Sequence, residues 1–142
     1  MGKIDMAMEG IRLVWKDSFN SGHALIDKQH RGLFELANEL LDAMHAAAPR
    51  DEVLKVVDRL LHDIARHFAD EEELLERAGY LSLYEHSREH AALVGKARML
   101  ADAFRQGTLH IRELFQFLAY DVVTRHMLGT DRHFFPYIND QP

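Results

Sequence analysis

The sequence predicts an all-α protein, an antiparallel up-down-up-down four-helix bundle with an N-terminal arm and a short C-terminal tail. Four long segments repeat apolar residues at intervals of three and four, which is the spacing of one face of an α-helix. Only three prolines and eight glycines interrupt the 142 residues. The connections between the segments are short, which favours antiparallel packing of consecutive helices.

The arm covers residues 1–20 and has no clear periodicity. Trp15 and Phe19 are expected to pack back onto the domain. The first helix is predicted at about 21–47, with Ser21 as its N-cap. Its apolar stripe contains Ile26, His30, Leu33, Ala37, Leu41 and Met44.

The second helix is predicted at about 51–78. Pro49 ends the preceding helix, Asp51 is the expected cap, and Gly79 ends the second helix. Its stripe contains Val53, Val57, Leu60, Ile64, His67, Glu71 and Leu74.

The third helix is predicted at about 82–106, where Ser82 and Glu85 form a capping-box pattern and Gly107 ends the helix. Its stripe contains Leu83, His86, His90, Leu93, Ala97, Leu100 and Phe104.

The fourth helix is predicted at about 109–128, with Thr108 as its cap and Gly129 at its end. Its stripe contains Ile111, Phe115, Leu118, Val122 and His126. The tail covers 129–142, where Pro136 argues against a long fifth helix.

Composition limits the possible functions. At 142 residues and 16.4 kDa the chain suits a single domain over 1–142 with a proper core. A formal charge of −6 without a Lys/Arg cluster argues against nucleic-acid and membrane partners. Without cysteine, any metal must have nitrogen and oxygen ligands. No stretch resembles a leader or a membrane span, so a cytoplasmic location is predicted.

The ten histidines exceed the roughly three expected from average usage. Five of them interrupt apolar stripes, and they are drawn from all four helices: His30, His67, His86, His90 and His126. Glu71 lies one helical turn after His67, where a carboxylate is costly unless it is paired or binds a metal. In an antiparallel bundle these positions collect toward one end, which predicts a shared metal site.

Asp131 joins this set only if the fourth helix stops after His126, because five positions on an ideal helix place two side chains roughly 140° apart. Gly129 is expected to provide that stop. The other histidines are interpreted as surface or helix-end residues, and His23 also as a candidate for lining an access route: His23, His45, His62, His110 and His133.

The motifs together resemble the hemerythrin family, specifically its bacterial members. The resemblance runs through Trp15 and Phe19, GHALIDKQH ending at His30, HFADEE from His67, HSREH from His86, and HMLGTD from His126. It implies a non-haem site of two iron ions with an oxo or hydroxo bridge. One iron would be bound by His86, His90 and His126, the other by His30 and His67, and Glu71 and Asp131 would bridge the pair.

The resemblance also implies reversible dioxygen binding, for transport, supply or storage, at the vacant position of the second iron. Residues one turn from the ligands are candidate walls of the ligand pocket, and each is equally suited to ordinary core packing: Ile26, Leu33, Phe34, Ile64, Leu93, Val122 and Val123. The alternative is that the same site senses oxygen or redox state and passes its state to a signalling or redox partner. In that case the aromatic tail would be a docking surface or the start of a linker. Otherwise the tail is expected to pack over the metal end of the bundle.

Three other interpretations are weaker. His86 to His90 matches the H-x-x-E-H zinc-peptidase pattern, but that leaves the remaining candidate ligands unexplained. Ferritin-like di-iron oxidases need paired Glu-x-x-His motifs, which this sequence lacks. We expect no enzymatic function, although slow peroxide or nitric oxide chemistry at the open iron stays possible.

Overall fold

The chain forms a four-helix bundle in a computed structural model that describes residues 8–9 and 12–139. Helix α1 covers Ala24–His45, α2 covers Arg50–Arg77, and α3 covers Leu83–Arg105. The fourth helix starts as α4, Ile111–Gln116, and continues as a π-helix, Phe117–Met127. Each helix contacts the next, and the fourth packs back on α1. The predicted fold class is confirmed. None of the helices in the described part of the chain has the length and apolar character needed to cross a membrane.

The arm packs on α1, as predicted. Its described part contains two short antiparallel strands, β1 (Met8–Glu9) and β2 (Arg12–Leu13), which the sequence did not predict. The Asn38 amide accepts from the backbone N–H of Leu13 and donates to its carbonyl, both at 2.8 Å. The Trp15 ring lies 5.0 Å from that of Phe34, between centroids. The predicted arm residues 1–7 and 10–11, and the tail residues 140–142, lie outside the described residues.

The predicted start of the first helix is wrong by three residues, because a side chain reaches back from inside the helix. Helix α1 begins at Ala24, and its N-cap is His23. The Asp27 carboxylate accepts from the backbone N–H groups of Ser21, at 2.7 Å, and Gly22, at 3.3 Å. These bonds hold the preceding residues in a turn, so Ser21 lies outside the helix.

Of the other predicted caps, only Ser82 occupies its predicted position. Pro49 is the N-cap of α2, which places Asp51 within the first turn. Ser82 is the N-cap of α3, but its side chain makes no capping hydrogen bond. His110 caps α4 by accepting from the backbone N–H of Arg112 at 3.1 Å. Thr108, the predicted cap, instead donates to a carbonyl at the end of α3.

The helix ends follow the sequence more closely. Helices α2 and α3 end one residue before the predicted positions, and α1 ends at His45, two residues early. Gly79 and Gly107 follow α2 and α3 with φ of +71° and +85°, a left-handed conformation that glycine adopts without strain. The tail contains a 3-10 turn, Thr130–Phe134, and a four-residue helix α5, Phe135–Ile138.

The π-helix is a departure from the predicted regular α-helix. The backbone N–H of Leu128 donates to the Val123 carbonyl at 3.1 Å, and the Thr124 hydroxyl to the Ala119 carbonyl at 3.0 Å. Both bonds span five residues, one more than in an α-helix. Apolar residues spaced three and four apart suit both geometries over a few turns, so the pattern did not separate them. The widened segment contains His126.

Two apolar clusters enclose a polar layer. The main core fills most of the bundle and includes Ile64 and Phe68 of α2. A smaller cluster at the tail end contains Ile26, Leu75, Phe134 and Ile138. Along α2, Glu71 lies between Phe68 of the main core and Leu75 of the smaller cluster, and His67 lies one turn before Glu71. The tail therefore closes the end of the bundle over the polar layer.

Candidate metal centre

The structure brings all seven candidate ligands into one buried cluster. His30 comes from α1, His67 and Glu71 from α2, and His86 and His90 from α3. His126 comes from the π-helix and Asp131 from the 3-10 turn that follows it. The most accessible of the seven, His86, is only 5% exposed.

The Glu71 carboxylate lies between two groups of histidines. Its Oε1 atom is 2.8 Å from Nε2 of His86 and 3.1 Å from Nε2 of His90. Its Oε2 atom is 3.0 Å from Nε2 of His67 and 3.8 Å from Nε2 of His30. One oxygen therefore faces the three-histidine side of the cluster, formed by His86, His90 and His126. The other oxygen faces the two-histidine side, formed by His30 and His67.

The Asp131 carboxylate is divided in the same way. Its Oδ1 atom is 3.0 Å from Nε2 of His126 and 3.2 Å from Nε2 of His86. Its Oδ2 atom is 3.3 Å from Nε2 of His30. The donor atoms thus form two overlapping sets that share both carboxylates, and within each set they lie within 4.8 Å of one another. Such an arrangement suits two cations bridged by two carboxylates.

The donor atoms fit metal ions because many lack any other partner. Five buried donor atoms have no hydrogen-bond partner among residues 12–139: Nε2 of His30, Nε2 of His67, Oε2 of Glu71 and both oxygens of Asp131. The Nε2 atoms of His90 and His126 lie 2.9 Å apart. Unsatisfied buried polar groups are costly, and buried polar groups normally have partners. Cations at the centre would satisfy all of these atoms.

The carboxylates control the protonation of the metal-free cluster. Burial favours the neutral form of His30, but its contacts with Asp131 and Glu71 outweigh burial and raise its pKa to about 9. The same two carboxylates raise the pKa of His86 to about 10, again against burial. Both imidazoles must lose this proton before Nε2 can bind a metal, so metal binding releases protons.

The remaining shifts depend on the balance of burial and charge. Burial outweighs the attraction of Glu71 at His67 and lowers the pKa of this imidazole. Burial alone would raise the carboxylate pKa values, but the surrounding histidines hold those of Glu71 and Asp131 below their usual range. Both carboxylates are therefore ionised at neutral pH, as metal ligands must be.

Side chains outside the cluster fix the orientation of the imidazoles. The Nδ1–H of His67 donates to the Gln29 amide oxygen at 2.7 Å, and that of His90 donates to Glu72 at 2.8 Å. Nδ1 of His126 contacts Glu89. These bonds direct Nε2 inward. Sequence reasoning missed all three partners, whose only signal is that each adjoins a candidate ligand in sequence.

The candidate pocket residues lie around the cluster but not all in one place. Leu93 is half-buried, whereas the other six are buried: Ile26, Leu33, Phe34, Ile64, Val122 and Val123. Ile26 belongs to the tail cluster, and the other buried candidates belong to the main core. Phe68, which was not predicted, stacks on His90 with ring centroids 3.7 Å apart.

A surface cavity of about 280 Å³ between α1 and α2 borders His67, on the two-histidine side. Leu33 and His67 line it together with Gln29 and Gly32. The other five histidines do not join the cluster. His23 is half-buried at the start of α1, and the remaining four are exposed: His45, His62, His110 and His133.

Comparison with known proteins agrees with this geometry. Residues 21–138 match the sequence model of the hemerythrin HHE cation binding domain. The chain belongs to the hemerythrin family. The resemblance to bacterial hemerythrins, inferred from the motifs, is therefore confirmed.

Relatives from bacteria span most of the domain. A bacteriohemerythrin of Clostridium acetobutylicum is 31% identical over 126 residues, which cover 85% of this chain and 97% of that protein. A bacteriohemerythrin of Stenotrophomonas maltophilia is 37% identical over 95 residues, which cover 67% of this chain and 61% of that protein. The crystal structure of a wild-type hemerythrin superposes with a TM-score of 0.80 at 27% identity, covering 89% of this chain and 98% of that one.

Proposed function

We propose that the chain binds two non-haem iron ions and carries or stores dioxygen reversibly at the two-histidine side of the cluster. The arrangement of the two carboxylates supports this most directly, since each presents one oxygen to either side. In the proposal, His86, His90 and His126 hold one iron, His30 and His67 hold the other, and Glu71 and Asp131 bridge them. Hemerythrins as a family bind a di-iron centre. When bound, this centre, with its oxo or hydroxo bridge, supplies two electrons that dioxygen takes up and returns.

The asymmetry of the histidines supports the position proposed for the ligand. Three imidazoles face one side and two face the other, so the two-histidine side has one donor fewer. The surface cavity lined by Leu33 and His67 borders that side. A small neutral gas is therefore proposed to enter between α1 and α2.

The apolar surroundings support reversible binding rather than turnover. Leu33, Ile64 and Val123 are each 2% exposed, and they offer neither a proton nor a hydrogen bond to the ligand. Their role in the proposal is to keep water from the bound gas. The proposal includes a cytoplasmic location and no enzymatic turnover.

Metal titration tests the assignment of the ligands. Iron-free protein titrated anaerobically with Fe(II) should bind two ions per chain. His86→Ala should lower this number, because it removes the nitrogen nearest Glu71 on the three-histidine side. His62→Ala, which changes an exposed histidine of α2, is the control and should still bind two. Equal binding by both variants would contradict the assignment.

One observation favours the alternative of oxygen or redox sensing. The Tyr80 ring lies 6.3 Å from that of His86 and 5.0 Å from that of Tyr137, between centroids. Tyr137 is 52% exposed, so packed rings connect the cluster with the surface of the tail. Sensing predicts that amide exchange in α5 changes when reduced protein binds oxygen. If the protein only carries or stores oxygen, amide exchange in α5 should stay the same.

A further inference from the structure

Two carboxylates hold the outer nitrogens on the three-histidine side. Oε2 of Glu72 accepts from Nδ1–H of His90 at 2.8 Å, while its Oε1 accepts from the Ser87 hydroxyl at 2.7 Å. Glu89 accepts from Nδ1–H of His126. The Glu72 side chain is 33% exposed and that of Glu89 is 44% exposed. Glu72 is therefore the better shielded and the more firmly oriented of the two.

The two-histidine side has a neutral partner instead. Nδ1–H of His67 donates to Oε1 of Gln29 at 2.7 Å, and Nε2 of Gln29 donates to Asp70 at 2.7 Å. Asp70 thereby fixes which end of the amide faces the imidazole. Its charge does not contact His67, because the Gln29 side chain lies between them. Nδ1 of His30 is buried and has no hydrogen-bond partner within residues 12–139.

This difference matters because the outer partner changes the donor strength of an imidazole. A carboxylate that accepts from Nδ1–H draws the proton toward itself and makes the opposite nitrogen more basic, which favours a metal ion of higher charge. A neutral amide orients the ring in the same way but polarises it less. Imidazoles on the three-histidine side are therefore stronger donors to a metal ion than His67 on the two-histidine side.

We propose that Glu72 and Glu89 bias the three-histidine side toward the more highly charged metal ion, and that Gln29 keeps the two-histidine side suited to the less charged one. This inference rests on the proposed function for the identity of the metal. In stepwise oxidation at an electrode, the first electron should leave Fe(II) on the three-histidine side, giving Fe(III) there. The second should leave the two-histidine side at a higher potential. The side proposed for the gas would then be the last to be oxidised.

An exchange of amide and carboxylate tests the role of Gln29 without changing net charge. The double variant combines Gln29→Glu with Asp70→Asn. Its carboxylate at position 29 can accept from His67 and from the new amide at position 70, so both hydrogen bonds are retained. A carboxylate now contacts His67 directly. We expect the second oxidation potential to fall and the first to change little. Gln106→Glu combined with Asp102→Asn is the matched control, because it makes the same two exchanges at exposed positions at the far end of α3, and neither potential should move substantially.

The opposite exchange tests Glu72. In Glu72→Gln the amide oxygen can accept from His90 while the amide nitrogen donates to Ser87, so the side chain keeps its place and loses its charge. We expect the first potential to rise, and iron to be lost to a competing chelator about tenfold faster or more. Glu89→Gln gives the same test if Glu72→Gln fails to fold. Glu73→Gln, at an exposed position one residue further on, is the charge-matched control.

The potentials separate this inference from the proposed function. Each variant should retain two irons per chain, while its potentials shift in the stated directions. If wild-type protein binds two irons and oxygen reversibly but the exchanges leave both potentials unchanged, or shift them in the opposite directions, the inference is wrong and the proposed function stands. If wild-type protein binds no iron, both are wrong.

Discussion

Nε2 of His126 lies 3.0 Å from Oδ1 of Asp131, although the two residues are five positions apart along the chain. This contact requires the break in the helix at Gly129, where the chain leaves the π-helix and enters the 3-10 turn. A Cβ atom on Gly129 would lie 2.5 Å from the Arg125 carbonyl oxygen, closer than real Cβ atoms approach. Glycine is therefore needed here for packing, since φ is −111° and not left-handed.

Gly129→Ala should displace Asp131 and weaken metal binding. Relief of the clash requires backbone movement, which we expect to cost about 1–3 kcal/mol of unfolding free energy. Urea unfolding and iron analysis measure the two effects. Gly95→Ala is the control, because its Cβ would have no neighbour within 4 Å in the described structure. It should stabilise α3 by up to about 1 kcal/mol. Full iron content in Gly129→Ala would argue against the role given to this glycine.

Polar substitution of the proposed pocket should speed oxidation of the oxygenated protein. Leu33→Gln and Val123→Thr each introduce a hydrogen-bonding group where the side chain is now 2% exposed. Water or a proton can then reach the bound gas more easily. The decay of the oxygenated spectrum in air gives the rate. Val57→Thr is the matched control, since Val57 is also buried but lies ten residues before His67, about 15 Å along α2. Unchanged decay in both pocket variants would remove these residues from the pocket.

The stability of iron-free protein should fall as the pH rises above 6.5. The pKa values of His30 and His86 are raised to about 9 and about 10, so their charged forms stabilise the folded state fully below 6.5 and lose this effect as the pH passes the raised values. Both groups therefore make the free energy of unfolding fall as the pH rises through this window. His126 acts in the same direction, whereas His67, with its lowered pKa, opposes it.

Below this window the carboxylates control stability. The pKa values of Glu71 and Asp131 are lowered, so their contribution is present above the ordinary carboxyl range and is lost as the pH falls below it. Urea unfolding between about pH 2 and 10 measures the whole profile. Iron-loaded protein should not lose stability above pH 6.5, because metal binding requires neutral imidazoles. A parallel decline of both forms would contradict the assigned protonation.

Truncation of Phe134 should uncover the metal end of the bundle. This ring is fully buried and its centroid lies 5.3 Å from that of His86. Phe134→Ala should cost about 3–5 kcal/mol of unfolding free energy and speed iron release to a chelator. Tyr137→Ala, at the exposed end of the tail, is the control and should change both much less. Equal iron release from the two variants would show that the tail does not cover the site.

The sequence predicted those features that depend on regular spacing. His67 and Glu71 are four apart on an unbroken α-helix, so their contact followed from helical geometry. The position of Asp131 depended on where a helix ends, and Gly129 indicated that end. The start of α1 could not be placed, because two local hydrogen-bonding schemes compete there and Asp27, inside the helix, determines which one forms.

Other parts of the site leave no distinct pattern in the sequence. A π-helix shifts each hydrogen bond by one residue without altering the order of polar and apolar residues. Gln29, Glu72 and Glu89 stand beside the candidate ligands as ordinary polar residues of partly exposed faces. Only the positions of their partners across the bundle distinguish them from side chains that contact solvent alone.

The visible spectrum of the iron-loaded protein tests the central claim most directly. Anaerobically reduced protein with two irons per chain should be nearly colourless. Air should produce a new charge-transfer absorption, and removal of oxygen should abolish it over repeated cycles. An absorption that does not reverse, or a protein that contains about one zinc per chain and never changes colour, would contradict reversible dioxygen binding at this site.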